Sequence, residues 1–443
     1  MGKGRCVGLR REDMYDWERR TPLIPEHIQA LQASTDHSFY VQTSKMRAYA
    51  DSEYSECGLP VVETLENCPV IIALKEIPVD VLEAEKTYVY FSHVIKGQTY
   101  NMPMLQRALD LGITIIDYER IVNEDNRRLI AFGNYAGLAG MIDSLWSLGS
   151  RLTSEGIENP FATLKQASDY DDLADAKTAI RAVGERITAE GLPGSLCPLV
   201  VGIAGYGNVS KGAQEILDLL PVTEISAADL LANELPGDAA KTVFKIVFRE
   251  EDTVLPLVEG KMFDLQEYYD FPERYRGAFE RYLDQLTVLV NCIYWEPKYP
   301  RLVTKEAIQA LFANGQPKLR VIGDISCDVE GGIEITVKAT EPNDPVFVYD
   351  PSTGEIQSGV EGHGPVMMTV EILPTELPRE SSAYFSNILK EYVPAIASAD
   401  YKVDFDALDL PAPLKRAIIC HRGELMPSYQ YIQKYLTEAA ENE

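Results

Sequence analysis

Four groups of polar residues in the first third of the chain have the types needed to move protons and grip carboxylates. Glu18-Arg19-Arg20 precedes Thr21-Pro22-Leu23, and Lys75-Glu76 follows the apolar run Val70–Leu74. His93 follows Tyr88–Phe91, with Lys96 and Gln98 just beyond. Glu119 follows Ile113–Ile116, and Arg127-Arg128 lead into Leu129–Phe132. An imidazole titrates near neutrality and can shuttle a proton. A lysine drawn partly out of water beside arginines holds its proton less tightly and can act as a base, a tendency that Glu76 and Glu119 would oppose. Guanidiniums bind carboxylates through paired hydrogen bonds. Taken singly, each group has an ordinary structural reading: a solvated lysine cap, a hydrogen-bonded histidine, an ion-paired arginine face.

The elements that carry these groups change the balance. Val70–Leu74, Tyr88–Phe91 and Ile113–Ile116 are short, rich in β-branched and aromatic residues, and separated by helix-sized segments. They read as buried strands of a parallel α/β sheet. Ligands of open parallel sheets bind beyond the carboxyl ends of the strands. Lys75, His93 and Glu119 follow three successive strands and should converge on one edge.

Further along, residues 133–152 read as a helix dense in small residues, able to pack closely and to connect two lobes. Leu199–Ala204 reads as a strand, and GYGNVSKGAQ then opens an amphipathic helix. Gly202, Gly205 and Gly207 in that strand–turn–helix setting suit a dinucleotide pyrophosphate resting on a helix N-terminus. Ser210 stands where the third glycine of the motif would be. The second strand of such a unit should end near Ile225, with an acid at its tip to bind ribose hydroxyls. The sequence there is Glu224-Ile225-Ser226-Ala227, with Asp229 further on. The missing acid leans towards NADP, yet no arginine follows at once, so both dinucleotides stay open. Val288–Ile293 and Arg320–Ile325 read as further strands, 327–365 as turns and short strands, and 384–393 and 427–437 as helices, with a frayed tail.

Composition narrows the function classes. The chain has 443 residues, 46% hydrophobic and 25% charged, an ordinary globular balance for roughly two or three domains. Sixty-eight acidic against 41 basic residues give a formal charge of −27, which disfavours nucleic acid. A local cluster of arginines can still reverse the field inside one cleft. Seven cysteines, none spaced C-x-x-C, argue against a disulfide framework or structural zinc and for reduced thiols in a cytoplasm. The N-terminus has no apolar signal region, and no apolar run approaches membrane-spanning length.

The segments ERRTPLIPEH, ALKEIP, FSHVIKGQ, IDYE, RRLIAFGNYAGLAGMID, GYGNVSKGAQ, NCIYWE, GDISCDVEGGIE and LPTELPRES occur in this order. Together they resemble lysine–ketoglutarate reductase, the lysine-forming saccharopine dehydrogenase, within the alanine dehydrogenase and transhydrogenase superfamily. The likeness runs from about residue 5 to residue 437.

The resemblance implies reductive condensation of L-lysine with 2-oxoglutarate to saccharopine, using NADP(H) with NAD(H) still open, and no metal. It implies an acid–base pair at Lys75 and His93. Substrate-binding positions match Arg20, Gln98, Arg127, Arg128 and Phe132, with Glu76 and Glu119 near the lysine substrate. Cofactor positions match Gly205, Tyr206, Gly207, Asn208, Val209 and Ser210, then Cys292 and Ile293, then Asp324, Ile325 and Ser326. It implies an α/β fold of two Rossmann-like lobes with parallel sheets and an interlobe cleft. Their expected extents are 1–137 plus 373–443 and 138–372, with closure excluding water. Animal and plant relatives continue into a second dehydrogenase, whereas this sequence stops at Glu443, so a separate saccharopine-cleaving dehydrogenase is an expected partner, unless the enzyme runs in the biosynthetic direction. The rival readings are an opine-forming or alanine-dehydrogenase-like enzyme using another amine or keto acid, and a non-catalytic dinucleotide-binding sensor. His363 is expected to bond within its glycine loop, and Cys327 to be a small buried group rather than a nucleophile.

Overall fold

Short β-branched and aromatic runs form strands where both faces can be buried, and the chain uses this twice. The computed structural model describes residues 5–313 and 315–441. It divides into one unit of Met1–Phe132 with Pro378–Glu443 and a second of Gly133–Leu377. The first six strands are β1 (Cys6–Leu9), β2 (Ser38–Gln42), β3 (Val61–Val62), β4 (Val70–Ile72), β5 (Thr87–Tyr90) and β6 (Thr114–Asp117). They lie parallel in the order β6-β5-β4-β1-β2-β3. The three strands read from the sequence are therefore direct neighbours.

The second unit begins with the helix Gly133–Ser154 and continues through β7 (Leu199–Ala204), β8 (Val222–Glu224) and β9 (Val243–Phe248). A small antiparallel pair follows, β10 (Val254–Pro256) with β11 (Tyr275–Gly277). Next come β12 (Val288–Asn291), β13 (Val321–Asp324), β14 (Val346–Tyr349), β15 (Ile356–Ser358) and β16 (Val366–Met368). The eight-stranded sheet runs β15-β14-β16-β13-β12-β7-β9-β8, antiparallel where β14 meets β15 and β16. The strand next in sequence after the glycine turn, β8, lies at the outer edge, and β9 lies beside β7 in register from Leu199↔Val243 to Ala204↔Phe248. Composition explains the exchange. VFKIVF in β9 is almost wholly apolar and buried, whereas VTE in β8 is short and largely accessible, as suits an edge.

The chain then returns to the first unit through the helix Pro378–Leu389 and adds β17 (Ile418–His421) and β18 (Glu424–Leu425). Both are antiparallel, with β17 covering the free edge of β6. The last helix, Gln433–Glu441, extends into the segment read as a frayed tail, and residues 442–443 of that tail lie outside the described residues.

One expectation is revised. Cys6 and Cys68 are joined in a disulfide, so not every cysteine is a thiol. Their separation of 62 residues hides a pairing that the parallel register Val7↔Val70 creates. The small-residue helix Gly133–Ser154 belongs to the second unit and packs on the glycine-turn helix Asn208–Leu217. A Cβ on Gly137 would sit 1.9 Å from the Val209 carbonyl oxygen, and one on Gly212 would sit 2.1 Å from that of Asn134. These glycines give the close approach that the motif usually assigns to its third glycine, so Ser210 is tolerated, buried and accepting from Gln214 Nε2. No helix among the described residues is long and apolar enough to cross a membrane.

Candidate active site and cofactor turn

In the first unit the strand ends set the geometry. After β4, Lys75 and Glu76 lie on a segment held by the Glu12 carboxylate, which accepts from the Leu74 and Lys75 N–H groups at 2.7 and 2.9 Å. After β5, His93 adopts a left-handed backbone, φ +48°, uncommon without glycine and frequent at functional positions. Its Nδ1 lies 2.5 Å from Glu76 Oε1, and Lys75 Nζ lies 3.8 Å from Glu76 Oε2. Burial pushes the Glu76 carboxyl up, but the His93 hydrogen bond and the Lys75 charge bring it down to about 2. An ionised Glu76 can only accept, so Nδ1 of His93 carries the hydrogen, and in the neutral imidazole Nε2 is left as acceptor. Glu76 Oε2 is buried with no hydrogen-bond partner among the described residues, a carboxylate oxygen ready for a cation.

Glu12 was not singled out by the sequence. Burial and the Glu18 charge push it up to about 7, despite its two backbone donors. Nothing in Arg10-Arg11-Glu12 signals this; it depends on β1 lying beside β4.

After β6, Asp117 is buried and accepts from Ser92 and from the Glu119 N–H, which orients Glu119. Glu119 pairs with Arg128, whose side chain is half exposed. Arg127, its neighbour, is exposed and is placed by a backbone bond to Asn123, so the arginine pair is split. Arg20 is 5% exposed and already forked onto Glu18, Nε at 2.9 Å and Nη2 at 2.6 Å, which leaves Nη1 for a ligand. Its guanidinium lies 4.5 Å from the Phe132 ring centre. Phe132 stacks on Phe385 at 4.7 Å, and Phe91 and Tyr118 complete an aromatic wall. Phe385 comes from the returning C-terminal segment and carries no local signal. Gln98 Oε1 accepts from the Lys96 N–H in the loop after β5.

In the second unit, Gly205 takes φ +96° and its N–H donates to Phe248 O. A Cβ on Gly207 would meet nothing within 4 Å, so the turn leaves open space where a pyrophosphate would approach. A cavity of about 450 Å³ faces this turn, a size that suits a cofactor segment. Gly205, Tyr206, Gly207, Cys292 and Ile293 line it, together with Arg249, Glu250 and Asn291. Asn208, Val209 and Ser210 form the first turn of the helix behind. Asp324 is buried, accepts from Asn291 and Thr336, and is pushed up to about 6 by burial. Ser326 donates to Ile293 O, and Ile325 packs against Gly140, so these three support the lining. The residues present fit a dinucleotide.

Cys327 donates to Thr369 O, and burial pushes its thiol up, as for an inert group. Among the described residues His363 bonds outside the glycine loop. Its Nδ1 lies 3.5 Å from Asp350 and its ring meets Phe312 edge-on.

Residues 8–139 match the family described as alanine dehydrogenase/PNT, N-terminal domain. A solved L-alanine dehydrogenase shares the fold, with TM-score 0.61 at 17% identity over 97% of this chain and 99% of that one. Residues 8–139 thus carry that domain, and the chain shares the fold of the solved enzyme, with Rossmann-like α/β units. It is 38% identical to an alpha-aminoadipic semialdehyde synthase of Arabidopsis thaliana, across 98% of this chain and 42% of that protein. It is 26% identical to a saccharopine dehydrogenase [NAD(+), L-lysine-forming] of Emericella nidulans, across 84% of this chain and 87% of that protein. Over almost its whole length the chain is therefore similar to alpha-aminoadipic semialdehyde synthases and, more distantly, to saccharopine dehydrogenases, while spanning less than half the length of the plant relative.

Proposed function

We propose that this protein is an oxidoreductase of lysine metabolism that condenses L-lysine with 2-oxoglutarate and reduces the imine to saccharopine, reversibly and with NADPH. The observation that carries this is the Lys75–Glu76–His93 group at the carboxyl ends of adjacent parallel strands, in a chain similar to these relatives over nearly its whole length. In this reading Glu76 holds the His93 Nδ1–H, and Nε2 takes a proton from the attacking lysine amine. The same nitrogen returns it to the carbinolamine hydroxyl, which leaves as water. Lys75 is the second acid–base group, and Glu76 Oε2 with Glu119 attract the substrate ammonium. Arg20 Nη1 and Arg128 take carboxylates of the keto acid, and the aromatic wall thins out competing water. The dinucleotide supplies the hydride. Holding amine and ketone together accounts for much of the rate.

Purified protein should oxidise NADPH only when lysine and 2-oxoglutarate are both present. Ammonia supporting the reaction in place of lysine would favour the alanine-dehydrogenase-like alternative, and no oxidation with any amine the sensor. His93→Ala and Lys75→Met should each lower turnover by about a hundredfold or more. Unchanged turnover would remove them from the chemistry.

A further inference from the structure

We infer that the 2′ position of the adenosine ribose is read at the tip of β9, and that Arg249 there selects a dinucleotide carrying a 2′-phosphate. The inference rests on the reading above only in that the glycine turn binds a nicotinamide dinucleotide.

The ribose of such a cofactor falls at the end of the strand lying beside the glycine-turn strand. By sequence that strand would be β8, but in space it is β9. β8 is two strand spacings from β7, about 10 Å. Its last residue, Glu224, pairs with Lys245 at 3.0 Å, and Asp229 caps the following helix through Ser226. Both acids near Ile225 are therefore committed to local structure. Ala204 pairs with Phe248, so Gly205 and Arg249 leave the sheet side by side.

At this tip the charges are arranged unequally. The Arg249 guanidinium lies 5.0 Å from the ring centre of Tyr206, the residue between the two turn glycines. Arg249 is exposed, and no carboxylate among the described residues pairs with its side chain. Glu250 is drawn the other way: its Oε1 accepts from Tyr269 at 2.7 Å and Tyr206 at 3.3 Å. Tyr206 thus steadies the cation with its face and the anion with its hydroxyl. All four side chains line the cavity that holds Gly205 and Gly207. A free guanidinium fork is the group that meets a phosphate dianion with two hydrogen bonds, while a carboxylate already bonded to two phenols is poorly placed to accept from a ribose hydroxyl.

Calorimetric titration of the purified protein with NADPH, NADH, adenosine 2′,5′-bisphosphate and AMP tests this. Wild type should bind the two 2′-phosphorylated ligands more tightly than their partners by about tenfold or more. Arg249→Gln should remove that preference by weakening only the 2′-phosphorylated pair, Arg249→Lys should keep part of it, and Glu250→Gln should leave it intact. Equal weakening of all four ligands, no change, or an NADH preference lost in Glu250→Gln would overturn the inference. Turnover with lysine and 2-oxoglutarate is a separate readout. Discrimination that depends on Arg249 without that turnover would sink the proposed reaction and leave this site standing, and the reverse result would do the opposite.

Discussion

Glu76→Gln separates an electrostatic role for Glu76 from a packing one. The Glu76 carboxyl lies at about 2 against an ordinary 4.5, because His93 and Lys75 favour the ionised form more than burial disfavours it. A group whose folded value is depressed adds stability that is fully present above its unfolded value. That stability is lost as pH falls through the folded value. The interval from 4.5 down to 2, at about 1.36 kcal/mol per pH unit, corresponds to about 3 kcal/mol. Of this, about 1.3 kcal/mol disappears between roughly pH 5.5 and 3.5, a range in which folding can be followed. Denaturant unfolding of wild type and Glu76→Gln across that range should give converging curves: the wild type loses this increment and the variant does not. Turnover of the variant should also fall by about a hundredfold, since the amide no longer dictates which His93 nitrogen carries the hydrogen. Parallel stability curves would refute the reasoning, because they would mean that Glu76 is not held ionised by its neighbours.

Other outcomes follow from packing and burial. Gly137→Ala should destabilise the second unit by about 1–3 kcal/mol and weaken dinucleotide binding, because its Cβ would sit 1.9 Å from the Val209 carbonyl behind the glycine turn; thermal melting with a cofactor titration checks it. Phe385→Ala should cost the first unit about 3–5 kcal/mol and raise the KM for the keto acid, read from denaturant midpoints and steady-state kinetics. Asp143 and Glu376 are buried against each other, and burial raises both, with Asp143 pushed up to about 6. Their contribution is present below the ordinary carboxylate range and declines as pH rises through the raised values. Glu376→Gln should therefore flatten the loss of stability towards neutral pH, measured by unfolding in a pH series.

What was legible in the sequence was local. The runs before Lys75, His93 and Glu119 announced β4, β5 and β6, because period, composition and length all agreed for short buried strands. The glycine turn was equally plain, since Gly205 requires a backbone that side chains resist. What could not be read was whatever depends on neighbours distant in the chain. Glu12 faces Lys75 only because β1 pairs with β4, and Cys6 meets Cys68 for the same reason. Phe385 reaches Phe132 across some 250 residues of intervening chain. The strand order beyond the glycine turn was misread because counting along the sequence assumes that the next strand is the adjacent one, and β8 is too short and polar to take an interior place. Arg127 looked equivalent to Arg128, but a turn sends consecutive side chains to different surroundings.

The first unit is assembled from both ends of the sequence, whereas the second is one unbroken stretch. During synthesis, everything from Gly133 to Leu377 can leave the ribosome and settle while β6 still has a bare margin. That margin stays open until Ile418–His421 arrives, and Phe91 and Phe132 stay without their stacking partner until Phe385 does. A nascent chain arrested before those residues would carry a finished second unit and an unfinished first unit, sticky along one strand, and would be expected to need shielding until they emerge.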